Sequence, residues 1–219
     1  MRKIIVTTTK ETPVSAEELY ALRLAAFEQW KENGLTTRAG CEPVEGFDRY
    51  MKGRTVFVAR DAETGELLAM HTFSLNPKKG TATGANLAVS PKAKREGIAS
   101  RMLEQEVERL RKAGYRYLLG STGIPAVWSV QWHRKNGYYI TGFSRNERDN
   151  YASYMFRKQI AIDVRHHPTD LLWMKPIAPI TAKLQYVASY LATNICKTRE
   201  GRLNWLGRLG KRLLFWSGV

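Results

Sequence analysis

Apolar positions change period along the chain, and the changes mark its elements. Residues 3–8 form a short β-branched run that reads as a strand. Leu19, Leu22, Ala26 and Trp30 then recur at helical spacing. Ser15 precedes them as an N-cap, with Glu18 three residues on as a capping-box partner. Residues 33–46 hold Gly34, Gly40 and Pro43 and read as loop, with a short helix over 47–52. Two β-rich runs follow at 55–60 and 67–75, separated by the polar turn 61–65, the pattern of a hairpin. Residues 77–80 turn again, and 83–89 form a strand ending at Ser90-Pro91.

The longest helix is expected over 97–113, where Ile98, Met102, Val107 and Leu110 share one stripe. Arg111 and Lys112 lie in its last turn, and Gly114 stops it. A strand over 115–120 and a helix over 127–135, ended by Asn136-Gly137, come next. Strands over 138–143 and 151–162, joined by the polar loop 144–150, close the series. The alternation of hairpins with β-α-β crossovers predicts an α/β (α+β) fold: a mixed, mostly antiparallel sheet with helices on both faces.

Beyond residue 165 the pattern shifts. Ile180, Leu184, Val187, Leu191 and Ile195 recur at helical spacing, and Leu203, Leu206, Leu209 and Leu213 repeat it with Arg208, Lys211 and Arg212 towards the opposite side. Residues 1–164 are therefore expected to form one domain, and 165–219 a basic amphipathic helical extension. Such an extension fits peripheral membrane contact through 177–219, packing on the domain, or contact with a second subunit in a homodimer.

Composition narrows the classes. The chain has 219 residues, 43% of them hydrophobic, enough for a substantial core. No run of about twenty apolar residues would span a membrane as a helix. The start lacks a long apolar segment and so does not read as a signal peptide. Cys41 and Cys196 stand far apart, which fits a reducing cytoplasm and no metal site. The net charge of +15 is uneven: residues 1–80 carry 12 Lys and Arg against 11 Asp and Glu, residues 81–163 carry 14 against 7, and the remainder 9 against 2. A basic middle seeks a polyanion, such as nucleic acid, anionic lipid or a phosphorylated cofactor.

The stretch SPKAKREGIASRML, residues 90–103, selects among these. Lys92, Lys94 and Arg95 precede Gly97, and the long helix follows. The first turn of a helix offers free N–H groups and the positive end of its dipole. Gly97 lets an anion approach, and Ala99 and Ser100 keep the turn small. A strand, a basic loop, Gly-x-Ala and an amphipathic helix together predict a pyrophosphate seat. Nucleic acid fits less well, because Trp128 and Trp132 lie at i and i+4 on one helix and suit core packing better than base stacking.

Lys94-Arg95-Glu96-Gly97-Ile98-Ala99 resembles motif A of the GNAT N-acetyltransferase superfamily, written Arg/Gln-x-x-Gly-x-Gly/Ala, with Lys94 in place of the usual first residue. WSVQWHRKNGYYITGF, residues 128–143, resembles the family's later helix and strand, with Trp132-His133 at its aromatic-Tyr pair and Gly137-Tyr138 at its Gly-Phe. The resemblance covers about residues 1–160. It implies acetyl-coenzyme A as co-substrate, with its arm along the backbone of Leu87, Ala88 and Val89. Its pyrophosphate would rest on Arg95, Glu96, Gly97, Ile98 and Ala99, with Lys94 and Ser100 beside it. It implies direct attack of an amine on the thioester, with an acid for the leaving thiolate and a base for the amine. His133 stands at the acid's position, with Tyr138 and Tyr139 nearby. Glu42, Glu45, Asp48 and His71 are the base candidates, with a water chain as the alternative; His71 shares a strand face with Ala69 and Phe73 and also fits a core histidine. His166, His167 and Asp170 read as a polar linker rather than metal ligands.

The sequence thus points to a cytoplasmic N-acetyltransferase acting on an amine of a small molecule or peptide. The alternatives are an acyltransferase of the same fold, using a longer acyl donor on a lipid or cell-envelope amine, and a non-enzymatic nucleic-acid-binding module.

Overall fold

The computed structural model of the chain describes residues 2–145 and 151–161. The expectations for 165–219, including the basic helices and the His166-His167-Asp170 group, lie outside the described residues.

Seven strands form one sheet: β1 (Ile4–Thr8), β2 (Thr55–Asp61), β3 (Leu67–Asn76), β4 (Thr81–Val89), β5 (Tyr117–Gly123), β6 (Tyr139–Arg145) and β7 (Ala152–Gln159). Their order is β1-β2-β3-β4-β5-β7-β6. Every pairing is antiparallel except β4 with β5. The helices are α1 (Ala16–Glu32), α2 (Arg38–Cys41), α3 (Val44–Met51), α4 (Ile98–Lys112) and α5 (Val127–Lys135).

Helices cover both faces, as the pattern predicts. Leu19 and Leu22 of α1 and Phe47 of α3 pack on Val56, Val58, Met70 and Ala88. On the other face Ile98, Met102, Leu103, Val107 and Leu110 of α4 pack with Phe57, Phe73, Leu118 and Phe156. Burying each such side chain contributes about 2 kcal/mol, which fixes α4 against the sheet.

Ser15 caps α1 by accepting from the Glu18 N–H at 3.0 Å. The other half of the capping box does not form, because the Glu18 carboxylate accepts from Arg60 at 3.2 Å instead. Several boundaries differ from the sequence reading, and both ends of β5 have a clear cause. β5 begins at Tyr117 rather than 115, because the Tyr115 N–H bonds back to the Leu110 C=O at 3.0 Å and so closes the end of α4. β5 then runs on to Gly123 because β7 pairs with it up to Ser153. The segment 33–46, read as loop, contains α2 and the start of α3 after Pro43.

The parallel pairing is short. Thr81, Ala82 and Thr83 meet Tyr117, Leu118 and Leu119, and there the pairing stops. β4 continues to Val89 and β5 to Gly123, each held only by its outer neighbour. The sheet therefore forks at Gly84 and Gly120. A register shift between β3 and β4 near Met70, with Asn86 at φ 51, bends β4 at the same level.

Candidate active site

A cleft of about 990 Å³ runs through the fork. Near α4 it is lined by Leu87, Val89, Lys94, Arg95 and the first turn of the helix. Towards α1 it reaches Arg23, Phe27, Trp30, Glu42 and Tyr50. One opening thus joins the basic loop to a pocket of aromatic and acidic side chains.

The start of α4 has the form of an anion cradle. Gly97 is the N-cap with φ 73, and no side chain caps the helix. Arg95 is also left-handed, with φ 67. The backbone ladder begins with Arg101 N–H to Gly97 C=O at 3.1 Å, so the N–H groups of Ile98, Ala99 and Ser100 precede it. A Cβ on Gly97 would meet nothing within 4 Å, which leaves open space before the turn. Lys94 and Arg95 are exposed there, and Lys94 Nζ donates to Gln29 Oε1 at 3.0 Å. Arg101 is turned away, donating to the C=O of Arg2 at 2.7 Å and of Glu96 at 3.3 Å.

The expected cofactor residues do not all reach the cleft. Ser90 N–H donates to Leu68 C=O at 2.8 Å, and Ala88 pairs with Met70 two positions earlier. The polar backbone groups of alternate residues point to the same side of a strand, so those of Ala88 face β3 and those of Val89 face the open fork. Ala88 is fully buried. Glu96 lies outside the cleft lining, its carboxylate 3.3 Å from Arg2 Nε.

Two histidines flank the fork from the α4 side. An ideal Cβ on Gly84 would lie 2.7 Å from His71 Nε2, and one on Gly120 would lie 3.5 Å from His133 Nε2. Each glycine is the first residue beyond the last β4–β5 pair; His71 occupies the space a side chain on Gly84 would take, while His133 stands at contact distance from Gly120. Glycine inside a strand often marks such a close approach.

His133 is set by α5. Its Nδ1 lies 2.8 Å from the Ser129 C=O. A carbonyl only accepts, so Nδ1 carries the proton and Nε2 a lone pair. The ring stacks on Phe156 at 4.5 Å. Burial pushes its pKa down to about 4 against the Ser129 hydrogen bond, with His71 adding a smaller downward push. The neighbouring cations Arg134 and Lys135 are not the cause. His133 is therefore neutral at pH 7. Tyr138 is buried beside it with ring centroids 5.1 Å apart, and burial raises the Tyr138 pKa, so its phenol stays protonated.

His71 is the core histidine of the sequence reading and a cleft residue as well. Its Nδ1 is 2.9 Å from Glu106 Oε2, and Glu106 is fully buried. Glu106 was not singled out from the sequence. The signal was there: it stands four residues after Met102 and four before Leu110, a carboxylate in the apolar stripe of α4.

Of the acids expected to serve as base, Glu42 lines the cleft, while Glu45 and Asp48 are exposed outside it. Glu42 pairs with Arg23 at 3.3 Å, and Arg23 is only 1% exposed. Burial lowers the Arg23 pKa, and Glu42 opposes that. The Arg23 guanidinium also sits 4.2 Å from the Phe47 ring centroid. Among the described residues no group of His, Cys, Asp and Glu could hold a metal ion, and no helix is long and apolar enough to cross a membrane.

A model of the acetyltransferase (GNAT) family matches residues 16–138. Among solved structures, the chain is similar to the ribosomal-protein-S18-alanine N-acetyltransferase from Escherichia coli, with 17% identity and a TM-score of 0.57 over 76% of this chain and 99% of that one. It is similar to an IAA acetyltransferase from Bacillus cereus, with 16% identity and a TM-score of 0.51 over 72% and 99%. It is also similar to a GNAT family acetyltransferase from Elizabethkingia anophelis with acetyl-CoA bound, with 18% identity and a TM-score of 0.53 over 71% and 97%. No curated protein matches the chain.

Proposed function

The chain belongs to the acetyltransferase (GNAT) family, and on that premise we propose that it transfers an acetyl group from acetyl-coenzyme A to a primary amine. The observation that carries this reading is the fork at Gly84 and Gly120, opening onto the uncapped first turn of α4. The residues present fit the co-substrate. Uncapped amides and exposed cations suit a diphosphate, and an open strand edge suits an amide-bearing arm.

In this reading the N–H groups of Gly97, Ile98, Ala99 and Ser100 hold the diphosphate, and Lys94 and Arg95 add positive potential at its rim. The backbone of Leu87 and Val89 lines the arm. Ala88 takes part only by holding β4 to β3, and Glu96 by holding Arg2. Bound acetyl-coenzyme A supplies an acyl thioester to the fork. A fork-facing amide of β4 then stabilises negative charge developing on its carbonyl oxygen.

His133 enters the reaction through Nε2. Being neutral, it does not donate from its resting state. It accepts a proton from the nitrogen as the C–N bond forms and passes it to the leaving sulfur. An imidazolium with so low a pKa gives its proton up readily. Tyr138, protonated and beside it, can donate a hydrogen bond to the same sulfur.

The α1 side of the cleft receives the amine. Its walls of Phe27, Trp30, Tyr50 and Glu42 suit an amine carried on an apolar or aromatic body. The test is thiol release from acetyl-coenzyme A by the full chain, with spermidine, tyramine and an unblocked alanyl peptide as acceptors. Amine-dependent thiol release, together with a rise in melting temperature on adding acetyl-coenzyme A, is expected. No rise and no release would overturn the reading.

A further inference from the structure

We propose that His71, oriented by Glu106, is the base that takes the first proton from the acceptor ammonium. The inference rests on the transferase reading above and assigns a proton path that the family match and the fold leave open.

The geometry converges on one atom. Nδ1 of His71 is held 2.9 Å from Glu106 Oε2, so the ring cannot turn without losing that bond. Phe73 fixes its plane from the same strand, with ring centroids 4.3 Å apart. The other nitrogen, Nε2, is thereby aimed at Gly84 at the mouth of the fork. His71 and Glu42 line the same cleft, so an amine entering past α1 reaches Nε2 without crossing the core.

Glu106 is costly unless it is used. It is fully buried on a helix face that otherwise carries Met102, Leu103, Val107 and Leu110. Its Oε1 has no hydrogen-bond partner among the described residues. A buried oxygen of this kind costs about 1–3 kcal/mol. A structural hydrogen bond to one imidazole does not offset that, and an apolar residue would pack the site better. A carboxylate behind an imidazole has a use when the imidazole must carry a proton, because it meets the positive charge that forms.

The other titratable groups around the pair are His133 from α5, which feels the charge of His71, and Tyr138 at the entry to β6, which stands beside His133 and feels Glu106. His133 bonds to a carbonyl rather than a carboxylate, and burial outweighs that hydrogen bond and keeps it neutral. Tyr138 stays protonated. Of the two imidazoles at the fork, His71 is the one backed by a carboxylate.

The proton balance closes. The acceptor arrives as an ammonium and gives one proton to His71 Nε2. The freed electron pair attacks the thioester carbonyl carbon, a C–N bond forms and the C–S bond breaks. The second proton passes from nitrogen to the thiolate, giving an amide and a free thiol. His71 returns its proton to water through the open cleft.

His71→Asn separates a base from a packing residue. The Asn amide can still donate to Glu106, while Nε2 is gone. Tyramine needs a base at pH 7, whereas hydroxylamine is already unprotonated there. The expected result is a fall of about 10²-fold or more in tyramine acetylation by the full chain, with hydroxylamine acetylation and acetyl-coenzyme A affinity unchanged. The tyramine deficit should also shrink as pH rises and the free amine accumulates. Glu106→Gln keeps the shape of the site and is expected to lower tyramine turnover about tenfold with the same indifference to hydroxylamine. It carries the test if His71→Asn fails to fold. Equal losses with both nucleophiles, or a deficit constant with pH, would overturn the assignment of His71 alone. Absence of acetyl-coenzyme A binding in the unsubstituted chain would overturn the transferase reading and this inference with it.

Discussion

A single methyl group added at each side of the fork should separate two effects. At Gly84 the new Cβ would lie 2.7 Å from His71 Nε2, 3.1 Å from its Cε1 and 3.2 Å from Phe73 Cε1. His71 is backed by Glu106 at 2.9 Å and Phe73 is fully buried, so neither ring can retreat. Overpacking of this kind costs about 1–3 kcal/mol. At Gly120 the nearest atom would be His133 Nε2 at 3.5 Å, an ordinary contact. Both substitutions gain similarly, by about 0.5–1 kcal/mol, from a stiffer unfolded chain. Their difference therefore isolates the clash. At about 2–4 °C per kcal/mol for a chain of this size, Gly84→Ala should melt about 2–12 °C below Gly120→Ala. Thermal unfolding by circular dichroism, with urea titration for the free energies, reads this directly. Gly120→Ala should keep its stability yet lose acetyl transfer, because its methyl projects at the His133 nitrogen. Equal melting temperatures for the two variants would refute the placement of His71 against β4.

Three further outcomes follow from the same geometry. The folded-state pKa of His133, about 4, lies below its ordinary 6.5, so between those values the unfolded chain binds the extra proton. Stability is therefore lost as pH falls through that window, by roughly 3 kcal/mol in full, and His133→Phe should remove that part of the pH dependence. Urea unfolding at pH 4.5 and 7 checks it, and an unchanged pH dependence in the variant would contradict it. Gly97→Ala forces φ 73 on an L-residue without any clash, so it should cost about 1 kcal/mol in urea unfolding and weaken acetyl-coenzyme A binding in calorimetry; an unchanged affinity would count against the cradle. Glu42→Ala leaves the Arg23 guanidinium buried without its counter-charge and should destabilise by about 3 kcal/mol, whereas a cost near zero would mean that the pair is solvated.

Local signals carried the element order. The capping serine, the β-branched runs and the stripe of α4 each depend on residues close in sequence, and each element formed near its predicted place. The left-handed Gly97 was legible for the same reason: a lone glycine between a basic loop and an amphipathic helix has few other uses. What the sequence left open depends on partners far along the chain. The fork exists because pairing ends at Thr83 and Leu119, which is set by β3 and β7 holding the two strands apart. His71 and Glu106 are 35 positions apart and meet only once α4 packs on the sheet. Arg23 and Glu42 meet across the segment that reads as loop. Even so, the carboxylate in the α4 stripe and the glycines inside β4 and β5 broke their local patterns, and all three lie at the site. Such breaks are where function departs from folding preference.

The central claim is that the uncapped turn at the start of α4 seats a diphosphate and the fork beyond it holds the acyl arm. A crystal structure of the full chain with coenzyme A tests this most directly. The account expects diphosphate oxygens within hydrogen-bonding distance of the N–H groups of Gly97 to Ser100, with the arm running along Val89 towards Gly84 and Gly120. Diphosphate density on another basic surface, with the fork empty, would contradict it.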